Sequence, residues 1–429
     1  MTTPSIELVI PRVAYDSAIR QQWRDPESYA IGRFRWHETI EGRQILVEQL
    51  DSVPGLPSGD RRPPLDCYLV LRLVSSNPPA ETAGATTTRL IETIRPLRSH
   101  HVVALVIHSG PPASWHATLR MPDGKCLPVT SLTVQGPAPL HLEHQSGQSA
   151  HVTEEDADRW SRTAGALGTE TFEKIRRSRV QVIGAGRNGS LCASLLAALG
   201  VAHLRLIDGD SLESHNLIGT IGLDSADVGR GKVEAVAKSI SRSRPELPLV
   251  CWNKSLLAAD VLADLRRHPV DLLVTCVDDD AARLAAWLLA HSLLIPYLDI
   301  ASAVMRDNLT PTLLGDARLF APGVQTGCPV CVGGVSNLED TLYAINAPEG
   351  ALRRGAPVHW SDQRAGSLVT LNATIVGAAL QLWLDYLGGH CTTSAWQRIQ
   401  WASGSGLLSH WAAVASTADC RMCRTPSSP

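Results

Sequence analysis

What this chain has little of narrows what it can be. Lys and Arg number 39 against 42 Asp and Glu over 429 residues, a formal charge of −3. No general excess of positive charge is present to hold it on nucleic acid, and only a local basic patch stays open. No apolar run approaches the roughly 18 residues needed to cross a bilayer. The opening Met-Thr-Thr-Pro-Ser-Ile-Glu lacks the basic start and apolar core of a secretory signal. The expectation is a soluble, cytoplasmic protein with no membrane or nucleic-acid partner. Cysteine is sparse as well: ten in 429 residues are too few for a disulfide scaffold. Hydrophobic residues at 44% and charged residues at 19% exclude a disordered chain, and neither an internal repeat nor a low-complexity tract occurs.

The length, about three times the commonest domain size, favours two or three domains. Residues 1–150 mix short apolar runs with proline-rich breaks, at Asp51–Asp60, Arg61–Pro64 and Gly110–Ser114. Strands are expected at Cys67–Val74 and Val102–His108 with a helix over Thr86–Leu97 between them, a small accessory α/β domain. The polar stretch His144–His151 reads as a linker, and Thr153-Glu-Glu-Asp opens a helix in the manner of an N-cap with acidic first-turn residues.

The second domain, residues 151–429, has a different pattern. Strands are expected at Val180–Ile183, His203–Asp208, Leu249–Trp252, Leu272–Val277 and Ile295–Ile300. Helices are expected over Leu191–Leu199, Gly231–Ser241, Ala258–Arg267 and Asp280–Leu289, with a long one over Ser367–Leu387. Strands alternating with helices predict an α/β fold with a doubly wound, mostly parallel, Rossmann-like sheet.

Gly184-x-Gly186-x-x-Gly189 follows a strand and opens a helix. Glycines there let a backbone approach phosphate at a helix N-terminus. Asp208, 24 residues on, stands where a carboxylate can hold ribose hydroxyls. A turn that merely packs helix against strand is the plain alternative, and the motif alone would also fit a nicotinamide dehydrogenase. The residues that follow depart from a dehydrogenase. Asp208, Asp210, Asn216, Lys232 and the run Asp278-Asp279-Asp280 with Arg283 fall near the carboxyl ends of successive strands, the edge where open α/β sheets bind ligands. A lysine can neutralise a triphosphate and a carboxylate can carry magnesium, so these residues suit ATP better than hydride transfer. Each also has an ordinary structural reading, as a turn cap, a solvated helix residue or a surface charge.

Residues 158–424 resemble the enzymes that adenylate ubiquitin and ubiquitin-like proteins, together with the molybdopterin- and thiamin-pathway adenylyltransferases of the MoeB/ThiF type. Arg159-Trp-Ser-Arg162-Thr is similar to that family's Arg-Tyr-x-Arg-Gln segment. The resemblance implies that Asp208 holds the ribose, Asn216 and Lys232 the phosphates and Asp278 the magnesium, and that Arg162 reaches into a partner subunit's ATP site, making a homodimer. It further implies a Gly-ended ubiquitin-like or sulfur-carrier protein as partner, a conjugating enzyme downstream, and kinship with bacterial conjugation systems, some of which serve antiviral defence. Ser367–Asn372 resembles the segment beneath the substrate tail. Two positions depart from the pattern. Asn216-Leu-Ile-Gly219 lacks the usual arginine, so one phosphate contact is missing or supplied by another group such as Arg230, and a non-catalytic nucleotide-binding scaffold is the alternative to an enzyme. Arg187 replaces a glycine and is read as pointing to solvent, with a place beside the nucleotide as the alternative.

Cys328-Pro-Val-Cys331 and Cys420-Arg-Met-Cys423 give the ligand count and spacing of a closed zinc site, with redox use of one pair as the competing reading. Ubiquitin-activating enzymes also carry a thioester cysteine after the first such pair, and Cys391 beside His390 is the one candidate before Cys420, with an inert thiol as the alternative. Cys192 and Cys276 read as core thiols. In the first domain, His108-Ser-Gly110-Pro111 with Thr118 resembles the zinc motif of JAB-type isopeptidases. Gly110 replaces a ligand histidine and Met121 a ligand aspartate, implying a metal-free recruiting or dimerising module. A turn histidine is the plainer reading.

Overall fold

Short runs rich in Val, Leu and Ile make the central strands of the second half of the chain. β10 (Arg179–Ile183), β11 (His203–Ile207), β12 (Leu249–Trp252), β13 (Leu272–Thr275) and β14 (Tyr297–Arg306) pair in parallel in the order β12-β11-β10-β13-β14. The order reverses between β10 and β13, the switch point of a doubly wound sheet. The computed structural model describes residues 5–25, 28–40, 42–53, 67–74, 90, 100–108, 114–143, 154–268, 270–306, 311–322, 326–346, 368–402 and 406–423. Of the sequence expectations, the helix over Thr86–Leu97 (apart from Leu90), the His144–His151 linker and Ser109–Pro111 lie outside these residues.

Alternation along the strands assigns the helices to faces. Val180, Val182, Leu204, Leu206, Leu272 and Val274 share one core with α4 (Arg187–Leu199), α5 (Lys232–Ser243) and the long α9 (Val369–Gly388). The intervening positions face the other layer. There Arg205 pairs with Asp264 of α6 (Ala259–Arg267), and Tyr297 and Asp299 meet Arg283 of α7 (Asp280–Ser292).

The sheet extends beyond the expected strands. β15 (Pro311–Phe320), β16 (Ala395–Ala402) and β17 (Gly406–Ala413) add antiparallel to β14 in sequence. Before β10 stand α2 (Glu154–Leu167) and α3 (Thr169–Arg177). Trp160 anchors α2, buried against Phe172 with the guanidinium groups of Arg159, Arg176 and Arg244 over its ring. A short helix, α8 (Leu338–Asn346), follows the first cysteine pair.

Met1–His151 form the other compact unit, and Val152–Pro429 the one just described. Among the described residues this first unit has β1 (Ser5–Pro11), β2 (Tyr29–Glu38), β3 (Gly42–Val53), β4 (Cys67–Val74), β5 (His101–His108), β6 (Ser114–Arg120), β7 (Cys126–Pro128), β8 (Ser131–Gln135) and β9 (Leu140–Glu143). They form one sheet in the order β7-β6-β5-β4-β2-β3-β1-β8-β9, with β1–β3, β1–β8 and β4–β5 parallel and the remaining pairs antiparallel. α1 (Arg12–Arg24) packs on one face, where Gln22 donates to the buried carbonyl of Leu71 at 3.1 Å. Thr118 lies within β6 (Ser114–Arg120), paired with Ala104 of β5 (His101–His108).

Candidate functional site

Gly184 closes β10 at the switch point. Its φ is +90°, and a Cβ there would stand 2.7 Å from the carbonyl oxygen of Cys276 just beyond β13. Gly189, in the first turn of α4, is tighter still: a Cβ would lie 1.7 Å from the Gly184 carbonyl oxygen. A side chain at either position would push strand, turn and helix apart. A Cβ on Gly186 would meet nothing within 4 Å among the described residues, which leave the mouth of the turn open beside the α4 N-terminus.

Asp208 braces this turn. Its carboxylate accepts the N–H of Ala185 at 2.7 Å and of Asp210 at 2.8 Å. Burial pushes the Asp208 carboxyl above its ordinary range, opposed by those two N–H groups and by Lys232. Lys232, the first residue of α5, donates Nζ to Asp210 Oδ2 at 2.7 Å and its backbone N–H to the Asp210 carbonyl at 2.9 Å. Asp208, Asp210 and Lys232 are therefore one hydrogen-bonded group on the rim of the sheet.

Asn216 sits in a 3₁₀ turn over Ser214–Gly219, its Oδ1 accepting the N–H of Glu213 at 2.9 Å. Its amide nitrogen remains the group able to donate to a ligand. The outward reading of Arg187 is corrected by the structure. The half-buried side chain lies across this turn and donates Nη2 to the His215 carbonyl at 3.3 Å. Arg230, one candidate substitute for an arginine at 219, stands with Nε 3.9 Å from Asp227 Oδ1.

The three aspartates after β13 divide their roles. Asp279 caps α7 by accepting from the N–H groups of Ala281 and Ala282 at 3.1 and 3.0 Å. Asp280 accepts from Arg283 at 2.7 Å and from the Ser336 N–H and hydroxyl at 2.8 and 2.6 Å. Asp278 is exposed in the loop that follows β13. Arg283 holds the loop in shape. Besides Asp280 it reaches Asp299 at 2.9 Å, the Val277 carbonyl at 2.9 Å and the Gly334 carbonyl at 3.0 Å. Sequence reasoning gave Arg283 no role, although its i,i+3 spacing from Asp280 was a signal for the pair. It also missed Asn188, whose Nδ2 donates to Ser302 while its buried Oδ1 has no partner among the described residues. An open turn, a helix N-terminus, a lysine, an exposed aspartate and an unsatisfied amide oxygen converge on one edge, and these residues fit a nucleotide with its magnesium.

Residues 160–403, more than half of the chain, match the model of the ThiF family. The chain belongs to the ThiF family. It is similar to ubiquitin-like modifier-activating enzyme 5 of Aedes aegypti, 27% identical over 233 residues covering 52% of this chain and 54% of that protein. The Xenopus laevis protein of the same name is 27% identical over 235 residues with the same coverage. The chain thus spans about half the length of the curated relatives it matches. Among solved structures it is similar to Escherichia coli MccB with ATP, at 18% identity and a TM-score of 0.46, covering 63% of this chain and 76% of that one.

Two cysteine pairs meet in this ThiF-family chain. The sulfurs of Cys328, Cys331, Cys420 and Cys423 all lie within 4.8 Å of one another. The Sγ–Sγ separations are 3.7 Å for Cys328–Cys331, 3.5 Å for Cys328–Cys420 and 3.4 Å for Cys331–Cys423, non-bonded distances that exclude disulfides here. Four thiolates about 2.3 Å from one zinc would stand roughly 3.8 Å apart, so the donor set fits that ion.

Cys391 is not displayed as a nucleophile. It is 6% exposed within the core beneath α9 and donates to the Thr393 carbonyl. Burial, with a contribution from Asp385, raises its thiol above the ordinary value, the reverse of what a thioester-forming thiolate needs. Cys192 is fully buried and Cys276 half-buried. Arg162 is exposed on α2.

Proposed function

We infer that this chain is an ATP-dependent adenylating enzyme whose substrate is the C-terminal carboxylate of a Gly-ended ubiquitin-like protein. The observation that carries the reading is the Asp208-braced glycine turn at the sheet's switch point, with Lys232 and Asp278 on the same rim. In this reading Asp208 holds the ribose, the N–H groups of the Gly184–Gly189 turn and α4 receive phosphate, and Asn216 and Lys232 bind phosphate oxygens. Asp278 holds magnesium, which when bound neutralises the triphosphate. The incoming carboxylate oxygen bonds to the α-phosphorus as the α–β phosphoanhydride bond breaks, and pyrophosphate leaves with the electron pair. A carboxylate is already a nucleophile, so no general base is needed, and catalysis rests on positioning and charge neutralisation.

Lys232 leaves Asp210 for phosphate in this step. Arg162, exposed on α2, serves the site of a second copy, making the working species a homodimer. The curated relatives are named as ubiquitin-like modifier-activating enzymes, which supports a protein tail as substrate. The burial of Cys391 favours adenylation without a thioester, the chemistry of sulfur-carrier activation, over transfer to a conjugating enzyme. ATP–pyrophosphate exchange dependent on a Gly-ended ubiquitin-like protein is the direct test. Exchange should fall at least 100-fold in Asp278→Ala with unchanged melting temperature, and exchange that survives this substitution removes the assignment.

A further inference from the structure

We propose that Arg187 is a phosphate-binding residue of the nucleotide site and that Gly219 is small in order to admit it. The inference rests on the ATP reading above and deepens it.

Three observations carry it. A Cβ built on Gly219 would stand 2.3, 2.4 and 2.7 Å from Nε, Cδ and Cγ of Arg187, so the aliphatic stem of the arginine occupies the place of a side chain at 219. Beyond the stem, the guanidinium reaches the His215 carbonyl at 3.3 Å, which lays it over the Ser214–Gly219 turn that carries Asn216. Arg187 is also the first residue of α4, next to Gly186 at the open mouth of the glycine turn.

The contact Arg187 makes to His215 is to a neutral carbonyl at the long end of the hydrogen-bond range. A guanidinium presents five donors in a planar fork that matches phosphate oxygens bidentately. Charge-assisted bonds from that fork to phosphate are stronger than a bond to a neutral carbonyl. Asn216 and Arg187 then donate from the same turn, one from within it and one from across it. The cation that position 219 lacks arrives from position 187, and the two positions are complementary in volume: the larger side chain at one requires the absence of one at the other.

The test is ATP binding by isothermal calorimetry on the full chain, with ATP itself as the probe. Arg187→Met keeps the stem over Gly219 and removes the guanidinium. It should weaken ATP about tenfold or more while leaving the unliganded melting temperature within about 2 °C. Arg187→Lys should recover only part of the loss, because an ammonium cannot donate as a planar fork. Gly219→Arg alone should lose stability, since two long side chains would claim one volume. The exchange Arg187→Gly with Gly219→Arg should restore stability and ATP affinity to within a few fold of the native chain. Equal ATP affinity in the native chain and Arg187→Met overturns the role of Arg187 and leaves the adenylation reading standing. A native chain that binds no ATP overturns both. A drop in melting temperature with unchanged affinity shows Arg187 to be a structural latch and also rejects the proposal.

Discussion

The guanidinium of Arg283 donates to the carbonyl of Val277 at 2.9 Å, the residue immediately before Asp278. The same side chain reaches the carbonyl of Gly334, three residues beyond Cys331. One buried arginine therefore joins the loop that presents the proposed magnesium carboxylate to the segment that follows the first cysteine pair.

Replacing Arg283 with methionine should be strongly destabilising. Asp299, fully buried, would keep Arg318 but lose Arg283 at 2.9 Å. Breaking a buried ion pair on one side costs about 3–5 kcal/mol, and the melting temperature should fall by at least about 6 °C. A fall of less than about 2 °C would show that Arg318 and the Thr275 hydroxyl, which donates to Asp299 at 2.9 Å, suffice for Asp299.

Asp316 supplies a pH-dependent contribution. Burial acts to raise its carboxyl, but Arg398, Arg318 and the Trp396 indole N–H overcome that effect and hold it below the ordinary carboxylate value. A depressed carboxyl contributes stability that is present above the unfolded-state pKa near 4 and is lost as pH falls through the lower folded-state value. Asp316→Asn should thus cost about 1–3 kcal/mol at pH 7. The gap between native and variant stability, measured by urea unfolding, should narrow once pH drops below about 4. A gap independent of pH would assign the cost to packing alone.

Gly189→Ala tests the glycine turn. The added methyl would collide with the Gly184 carbonyl oxygen at 1.7 Å, and because that atom belongs to the backbone the turn must open. ATP affinity measured by calorimetry should fall tenfold or more. The control Gly186→Ala, whose methyl enters open space, should fold as the native chain does. Native affinity in Gly189→Ala would mean the nucleotide does not depend on this turn.

The four cysteines predict one zinc per chain by elemental analysis. Cys328→Ser and Cys420→Ser should each abolish it, and a strong chelator should lower the melting temperature of the native chain by several degrees, because ligand binding to the folded state alone is folding free energy. A metal-free native chain with the same melting temperature before and after chelation would reject a structural ion.

Several expectations were legible because their causes are local. The strands beginning at Val180 and His203 and the helix opening near Gly231 appear within about two residues of where apolar periodicity set them. The first site helix starts at Arg187 rather than Leu191 because polar Arg187 and Asn188 mask its first turn. β14 runs to Arg306, beyond the Ile300 expected, since its partner β15 is supplied from further along the chain and leaves no mark on the strand's own sequence.

By itself the sequence determined the glycine spacing from Gly184 to Gly189, the carboxylate at 208, the acidic run after β13 and the two cysteine pairs, each a short-range pattern whose chemistry follows from residue type and interval. Tertiary structure alone decided that Asp280 of the acidic run meets Arg283 and Ser336, the burial of Cys391, the antiparallel extension through β17, and the path of Arg187 over Gly219. Those outcomes depend on side chains and strands brought together from distant parts of the chain, where volume and hydrogen-bond demand must be satisfied jointly, and no local window of sequence contains both partners.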